Sequence, residues 1–148
     1  DHYHIQGLPN RFAGQGSKKY EQLINGNKKS EYFGCTINSF TSVSLNPAMF
    51  LFCLGNYNKH LKTFKLDSPL NINFLSMSQQ KLSNKFASDI DKRWLNTNYS
   101  IAKNKVPFFK ESLGLIEGKV YKKVKSGDHT IIICKITDFF YDLINCFW

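Results

Sequence analysis

The chain has 148 residues, 42% of them hydrophobic, which is one domain's worth of sequence and enough to bury a core without disulfide or metal staples. Its 20 Lys and Arg against 11 Asp and Glu give a formal net charge of +9, favouring anionic partners, but the lysines are scattered among asparagines and describe a solvated surface. No run approaches the ~20 apolar residues of a membrane span and no signal-peptide core opens the chain, so a soluble, cytoplasmic protein without membrane contacts is expected.

Residues 1–30 are polar and glycine-studded without a sustained period, and read as an arm ahead of a domain over 31–148, with Asn25-Gly26 as a hairpin-turn signal. Ser30 to Asn38 is rich in Tyr, Phe, Cys, Thr and Ile and predicts a strand. The strand runs into a loop dense in small hydroxyl and amide side chains: Thr36, Asn38, Ser39, Thr41, Ser42 and Ser44. Ala48 to Leu54 is a continuous apolar run closed by Gly55, predicting a buried strand. Asn58 can cap a short helix through Leu66, with Leu61 and Phe64 inward and Lys59, Lys62 and Lys65 outward.

Pro69 to Leu75 predicts a strand with one apolar face, Leu70, Ile72 and Phe74, and one amide face, Asn71 and Asn73. Ser76-Met-Ser-Gln79 is a capping-box pattern that should start a helix through about Ile90. Trp94 to Pro107 is irregular and polar. From Leu113 a long hairpin is expected, turning at Ser126-Gly127-Asp128 and returning through Thr130 to Ile136. Five or so strands with two short inserted helices make a barrel-like β architecture and not an alternating βαβ one.

Chemistry carried by side chains is sparse. Cys35, Cys53, Cys134 and Cys146 lie far apart, with no Cys-x-x-Cys pair or matching His spacing, so neither a metal site nor a redox pair is indicated. There is no nucleophile elbow, no His-Glu-x-x-His and no glycine-rich phosphate loop of the dinucleotide or P-loop kind. A cofactor is therefore expected to carry any chemistry. The hydroxyl loop offers many short donors at the mouth of an apolar core, as small-molecule sites do. Lys59, His60 and Thr63, at a helix start, can attract a phosphate. His129 beside Asp128 can donate to a substrate. From another class, a basic β-barrel could bind single-stranded nucleic acid through lysines and aromatics, although Phe50, Phe52, Phe74 and Phe86 sit on apolar faces.

Four blocks carry a resemblance: Gly34-Cys-Thr-Ile-Asn-Ser-Phe-Thr-Ser-Val-Ser-Leu-Asn-Pro47 with Phe50-Leu-Phe-Cys-Leu54, Asn71-Ile-Asn-Phe-Leu75, Gln80-Lys-Leu-Ser-Asn-Lys-Phe-Ala87, and Gly127-Asp-His-Thr130. In this order and spacing the chain resembles the flavin reductase family with the FMN-binding split barrel, over roughly residues 31–138. The resemblance implies a homodimeric Greek-key split β-barrel with short inserted helices. It would hold FMN, or FAD, take NADH or NADPH as reductant, and supply reduced flavin to a partner monooxygenase. A flavoprotein that keeps its FMN as a fixed electron carrier is the alternative on the same fold. Carried over by position, Asn38, Ser39, Ser42 and Ser44 would contact the ribityl chain and phosphate, with Thr36, Phe40 and Thr41 in the same contact set. Lys59 and Thr63 would assist at the phosphate, Asn73, Lys85 and Phe86 would lie along the flavin, and His129 would lie where nicotinamide docks. Residues 1–30 lack the glycine-valine-rich first strand usual in the family, and the chain stops at Asn145-Cys-Phe-Trp148 where relatives continue.

Overall fold

A computed structural model describes residues 22–28 and 31–141. Seven antiparallel strands form one sheet in the order β2-β1-β5-β8-β9-β4-β3. They are β1 (Gln22–Lys28), β2 (Glu31–Ile37), β3 (Thr41–Leu45), β4 (Ala48–Gly55), β5 (Pro69–Phe74), β8 (Gly114–Ser126) and β9 (His129–Tyr141). Between β5 and β8 lie one α-helix, α1 (Gln80–Lys85), and a small ladder of β6 (Ser100–Ile101) with β7 (Pro107–Phe108). The mainly β class expected from the sequence is what forms.

The outermost strands of the sheet, β2 and β3, are neighbours in the chain. Phe33, Cys35 and Ile37 of β2 share one buried cluster with Phe50, Phe52 and Leu54 of β4, and with Ile72, Ile116 and Ile132 of the strands between. The sheet therefore curls around its own apolar face. Phe50, Phe52, Phe64 and Phe74 are all fully buried there, each contributing roughly 1.5–3 kcal/mol of transfer free energy. Ladder irregularities at Glu117/Gly118 and Val120/Lys122 interrupt the long β8–β9 hairpin. A side chain at Gly118 would stand 2.8 Å from the Lys135 carbonyl, so only glycine fits at the first of them. The hairpin closes at Gly127, φ +63°, the first of two turn residues, where glycine meets no steric cost.

The opposite face of the sheet carries buried amides. Asn73 donates to the Leu23 carbonyl at 2.7 Å and to Asn25 Oδ1 at 2.6 Å, and accepts from the Phe109 amide at 3.0 Å. Asn71 donates to the Val106 and Pro107 carbonyls, both at 3.2 Å, and accepts from Asn104 Nδ2 at 2.8 Å. These bonds fasten the segment before β8 over the sheet. A second apolar cluster of Leu23, Leu75, Phe86 and Phe109 completes that layer, with Leu82 and Trp94 against it.

Several expectations need correcting. The arm over residues 1–30 does not hold at its end: residues 22–28 are β1, paired on both sides, with β2 and with β5. Asn25-Gly26 is no turn but the middle of that strand. The Asn25 amide is used in the buried network, and the Phe33 ring fills the place of a Gly26 side chain, its Cζ 2.0 Å from where a Cβ would be. Residues 1–21 and the terminal Asn145 to Trp148 lie outside the described residues. The helix from Ser76 stops at Lys85, well short of Ile90, although its capping box forms as read, with Gln79 Oε1 accepting from the Ser76 amide at 2.8 Å. Ile90 opens a separate 3-10 turn, Ile90–Lys92. The helix expected after Asn58 is likewise a single 3-10 turn, Leu61–Thr63. β4 alternates between buried and partly exposed residues along its length, so one of its faces is partly open. Within the stretch read as irregular, β6 and β7 form their short ladder.

Candidate functional site

The corner between β2 and β3 is locked by Ser39. Its hydroxyl accepts from the Cys53 amide at 2.9 Å and donates to the Cys53 carbonyl at 3.3 Å, tying the loop to β4. β4 relays this corner to the tip of the β8–β9 hairpin, because Cys53 pairs with Ile131 and Gly55 with His129. Two residues along β4 and one inter-strand step on each side of it place Ser39 and His129 roughly 12 Å apart.

Asn56, a residue to which sequence reasoning gave no role, staples the two turns together. Its amide donates to the Asp128 carbonyl at 2.9 Å and its Nδ2 to the Gly127 carbonyl at 3.0 Å, while its Oδ1 accepts from Thr130 Oγ1 at 2.8 Å. No local pattern reveals it, since its partners lie more than 70 positions away. The chain then turns at Asn58, whose Oδ1 accepts from the His60 amide at 2.8 Å, and enters the 3-10 turn. Lys123 Nζ donates to the Leu61 carbonyl at 2.8 Å, and burial pushes that ammonium below its ordinary range.

The second residue missed is Arg93. Its Nη1 donates to the Gly34 carbonyl at 2.7 Å, and its Nε and Nη2 to the Ser88 carbonyl at 3.1 and 2.8 Å, clamping β2 to the segment after α1. His60 Nε2 lies 3.5 Å from Nη1, and the imidazole stacks on Phe33 at 5.1 Å between centroids. Burial first, then the Arg93 charge, lowers the His60 pKa to about 4, so the ring is neutral near pH 7. Burial pushes the Cys35 thiol up to about 12 and raises that of Cys134, so both are inert, protonated packing groups.

The predicted residues divide into two sets. Asn38 and Thr41 are exposed, and Ser42 and Ser44 half-buried, flanking a bulge in the β3–β4 pairing. Lys59 is exposed and Thr63 half-buried at the neighbouring turn. His129 is exposed, its Nδ1 at 2.8 Å from Asp128 Oδ1, and that hydrogen bond holds the Asp128 carboxyl below the usual range. These residues have surface to offer a ligand.

The other predicted residues meet partners within the protein, Asn73 and Phe86 fully buried, Thr36, Phe40 and Lys85 half-buried. Asn73 is fully buried with amide nitrogen and oxygen both bonded inside the protein, and Phe86 is fully buried against Trp94 and Phe109. Neither presents surface along which a flavin could lie. Phe40 turns inward, stacking on Phe50 at 5.2 Å and meeting Phe74 edge-on at 5.1 Å. Thr36 Oγ1 donates to the Ser83 carbonyl at 2.6 Å, and Lys85 Nζ donates to the Leu95 carbonyl and to Thr97 Oγ1. The nucleic-acid reading loses its platform, since Phe50, Phe52, Phe74 and Phe86 are each 0% exposed. Among the described residues no group of three metal-ligating side chains occurs, and no helix is long and apolar enough to cross a membrane.

A family model described as "Flavin reductase like domain" matches residues 23–144. The chain is 33% identical over 106 residues to a "Probable flavin reductase" of Rhizobium meliloti (strain 1021), covering 72% of this chain and 34% of that protein. It is 29% identical over 105 residues to an "NADH:FMN oxidoreductase" of Rhodococcus erythropolis, covering 70% and 55%. Among solved structures, "Flavin reductase PheA2 in native state" superposes with a TM-score of 0.77 at 29% identity, covering 90% of this chain and 88% of that one. Flavin reductase HpaC complexed with NADP+ superposes with a TM-score of 0.75 at 27% identity, covering 83% and 78%. The chain spans about a third of the first of these curated relatives. With the family model matched from β1 to beyond β9, the chain belongs to the flavin reductase-like domain family.

Proposed function

We propose that this protein is an NAD(P)H-dependent flavin reductase. It binds FMN or FAD at the β2–β3 corner and passes reduced flavin to a partner monooxygenase. The observation that carries the reading is the corner itself: Ser39 locks it to β4 two residues from the end that pairs with His129, which leaves Asn38 exposed and Ser42 and Ser44 half-buried along β3. Its donor set fits a ribityl chain and phosphate, with short hydroxyls and an amide for the polyol and an exposed ammonium for the anion. Relatives named as an NADH:FMN oxidoreductase and as the reductase component of a flavin-dependent trigonelline monooxygenase support the same activity and the same kind of partner.

Bound flavin supplies hydride acceptance from nicotinamide, chemistry that asks no acid or base of the protein. The chain's own residues bind and orient. Asn38, Ser42 and Ser44 hold the polar tail, Lys59 and Thr63 add charge and a hydroxyl, and His129, oriented through Nδ1 by Asp128, lies where nicotinamide would enter. A homodimeric split barrel in the cytoplasm is the form this reading takes, with the curled sheet as the barrel wall. Flavin fluorescence titration and anaerobic NADH oxidation with excess FMN test the proposal. The expected result is many turnovers of added flavin. Reduction of a single equivalent would convert the reading to a fixed carrier, and absence of both flavin binding at about micromolar concentration and NADH oxidation would sink it.

A further inference from the structure

On the amide face of the sheet, a cavity of about 420 Å³ lies between β8, β9 and the β6–β7 segment. Phe108, Phe109 and Leu115 form apolar walls, Ile101 and Phe140 stand at the rim, 45% and 51% exposed, and the exposed Lys103 and Lys110 also line the opening. Glu117 belongs to the lining and is 2% exposed. Its Oε1 accepts from the Asn104 amide at 3.1 Å, whereas Oε2 is buried without a hydrogen-bond partner among the described residues. Asp138, across the strand pair, is already joined to Lys103 at 3.6 Å, which leaves Glu117 as the acid with an unmet acceptor. Burial pushes the Glu117 carboxyl up, opposed by the Asn104 hydrogen bond and the Lys103 charge and helped by the Asp138 charge.

A buried acceptor without a donor is costly; Asn71 and Asn73 beside it are bonded through both nitrogen and oxygen, and Asn25 Nδ2 is the other buried side-chain atom without a partner among the described residues. The volume is that of a small-molecule site, and aromatic walls favour a cation. We propose that this cavity binds a small organic ammonium ion, whose N–H donates to Glu117 while its apolar body packs against Phe108, Leu115 and Phe140. The site is separate from the β2–β3 corner and does not rest on the flavin reading.

Titration of the intact chain with benzylammonium, followed by calorimetry and by backbone amide NMR shifts, tests the proposal. Saturable binding is expected, with shifts at Leu115, Glu117 and Phe140. Benzyl alcohol, which lacks the charge, should bind about tenfold more weakly. Glu117→Gln keeps the shape and the acceptor for Asn104, and should weaken benzylammonium by about the same factor. Equal affinity for the two probes, or an unchanged affinity in Glu117→Gln, would overturn the proposal in favour of an ordered water on Oε2. No saturable binding at millimolar concentration would overturn it too, as would shifts at Ile101 and Phe140 that follow protein concentration and not the probe, the mark of a second copy covering the cavity. Should Glu117→Gln fail to fold, the two probes on the unaltered chain decide alone.

Discussion

Asn73 shows how far a residue's neighbours decide its work. In the sequence it stands on an amide face that could line a ligand, yet in the fold its side chain links β1, β5 and the segment before β8. Asn73→Ala should cost about 3 kcal/mol in urea unfolding, because buried donors and acceptors lose their partner. The flavin affinity of the folded fraction should stay unchanged, and a large loss would return Asn73 to the site. His60 makes a second residue-scale case. Its native pKa, about 4, lies below the ordinary 6.5, so the unfolded chain binds the proton first as pH falls. Stability from this group is complete above about pH 6.5 and is lost as pH falls toward 4, with a slope of at most about 1.4 kcal/mol per pH unit before solvent screening reduces it. Thermal melts of the unaltered chain and His60→Gln across that window should converge at the acid end, and parallel curves would exclude His60 as the source.

At the scale of elements, the β2–β3 corner separates hydroxyls that build the site from hydroxyls that face out of it. Ser39 belongs to the first kind, since its loss leaves the Cys53 amide and carbonyl without their partner. Ser39→Ala should therefore lower stability by about 1 kcal/mol and weaken flavin binding as the corner loosens. Ser42 is half-buried beside the bulge in β3, and Ser42→Ala should leave stability within about 0.5 kcal/mol while still weakening flavin. Chemical denaturation and flavin fluorescence, run on both variants, separate the two roles. The short helices follow the same logic of context. The Ser76 capping box opens a 3-10 turn, Met77–Gln79, that leads into α1, but the helix ends at Lys85, and the Phe86 carbonyl that follows accepts from the Thr36 amide at 3.0 Å. An apolar period continuing to Ile90 could not reveal that β2 claims the helix end.

For the whole molecule, the formal charge of +9 and a phosphate-bearing ligand make a joint prediction. FMN at about a hundred times its dissociation constant should stabilise the fold by about 2.7 kcal/mol, raising the melting temperature by roughly 5–10 °C. That shift should shrink as salt rises from low to physiological ionic strength, because the long-range part of the attraction is screened within about 8 Å. A shift indifferent to salt would assign binding to the corner's hydrogen bonds alone. The sequence by itself determined the class of the fold, the β2, β4, β5 and β8–β9 strands, the hydroxyl corner and the hairpin turn, because alternation, capping and turn chemistry act over a few residues. Only the tertiary structure decided that Asn25-Gly26 lies inside a strand paired on both sides, that Asn56 staples the end of β4 to the β8–β9 turn, that Arg93 clamps β2 to the segment after α1, and that Asn73, Phe86 and Phe40 serve the interior. Each of those outcomes rests on a partner tens of residues away, and burial against that partner overrides what the local pattern prefers.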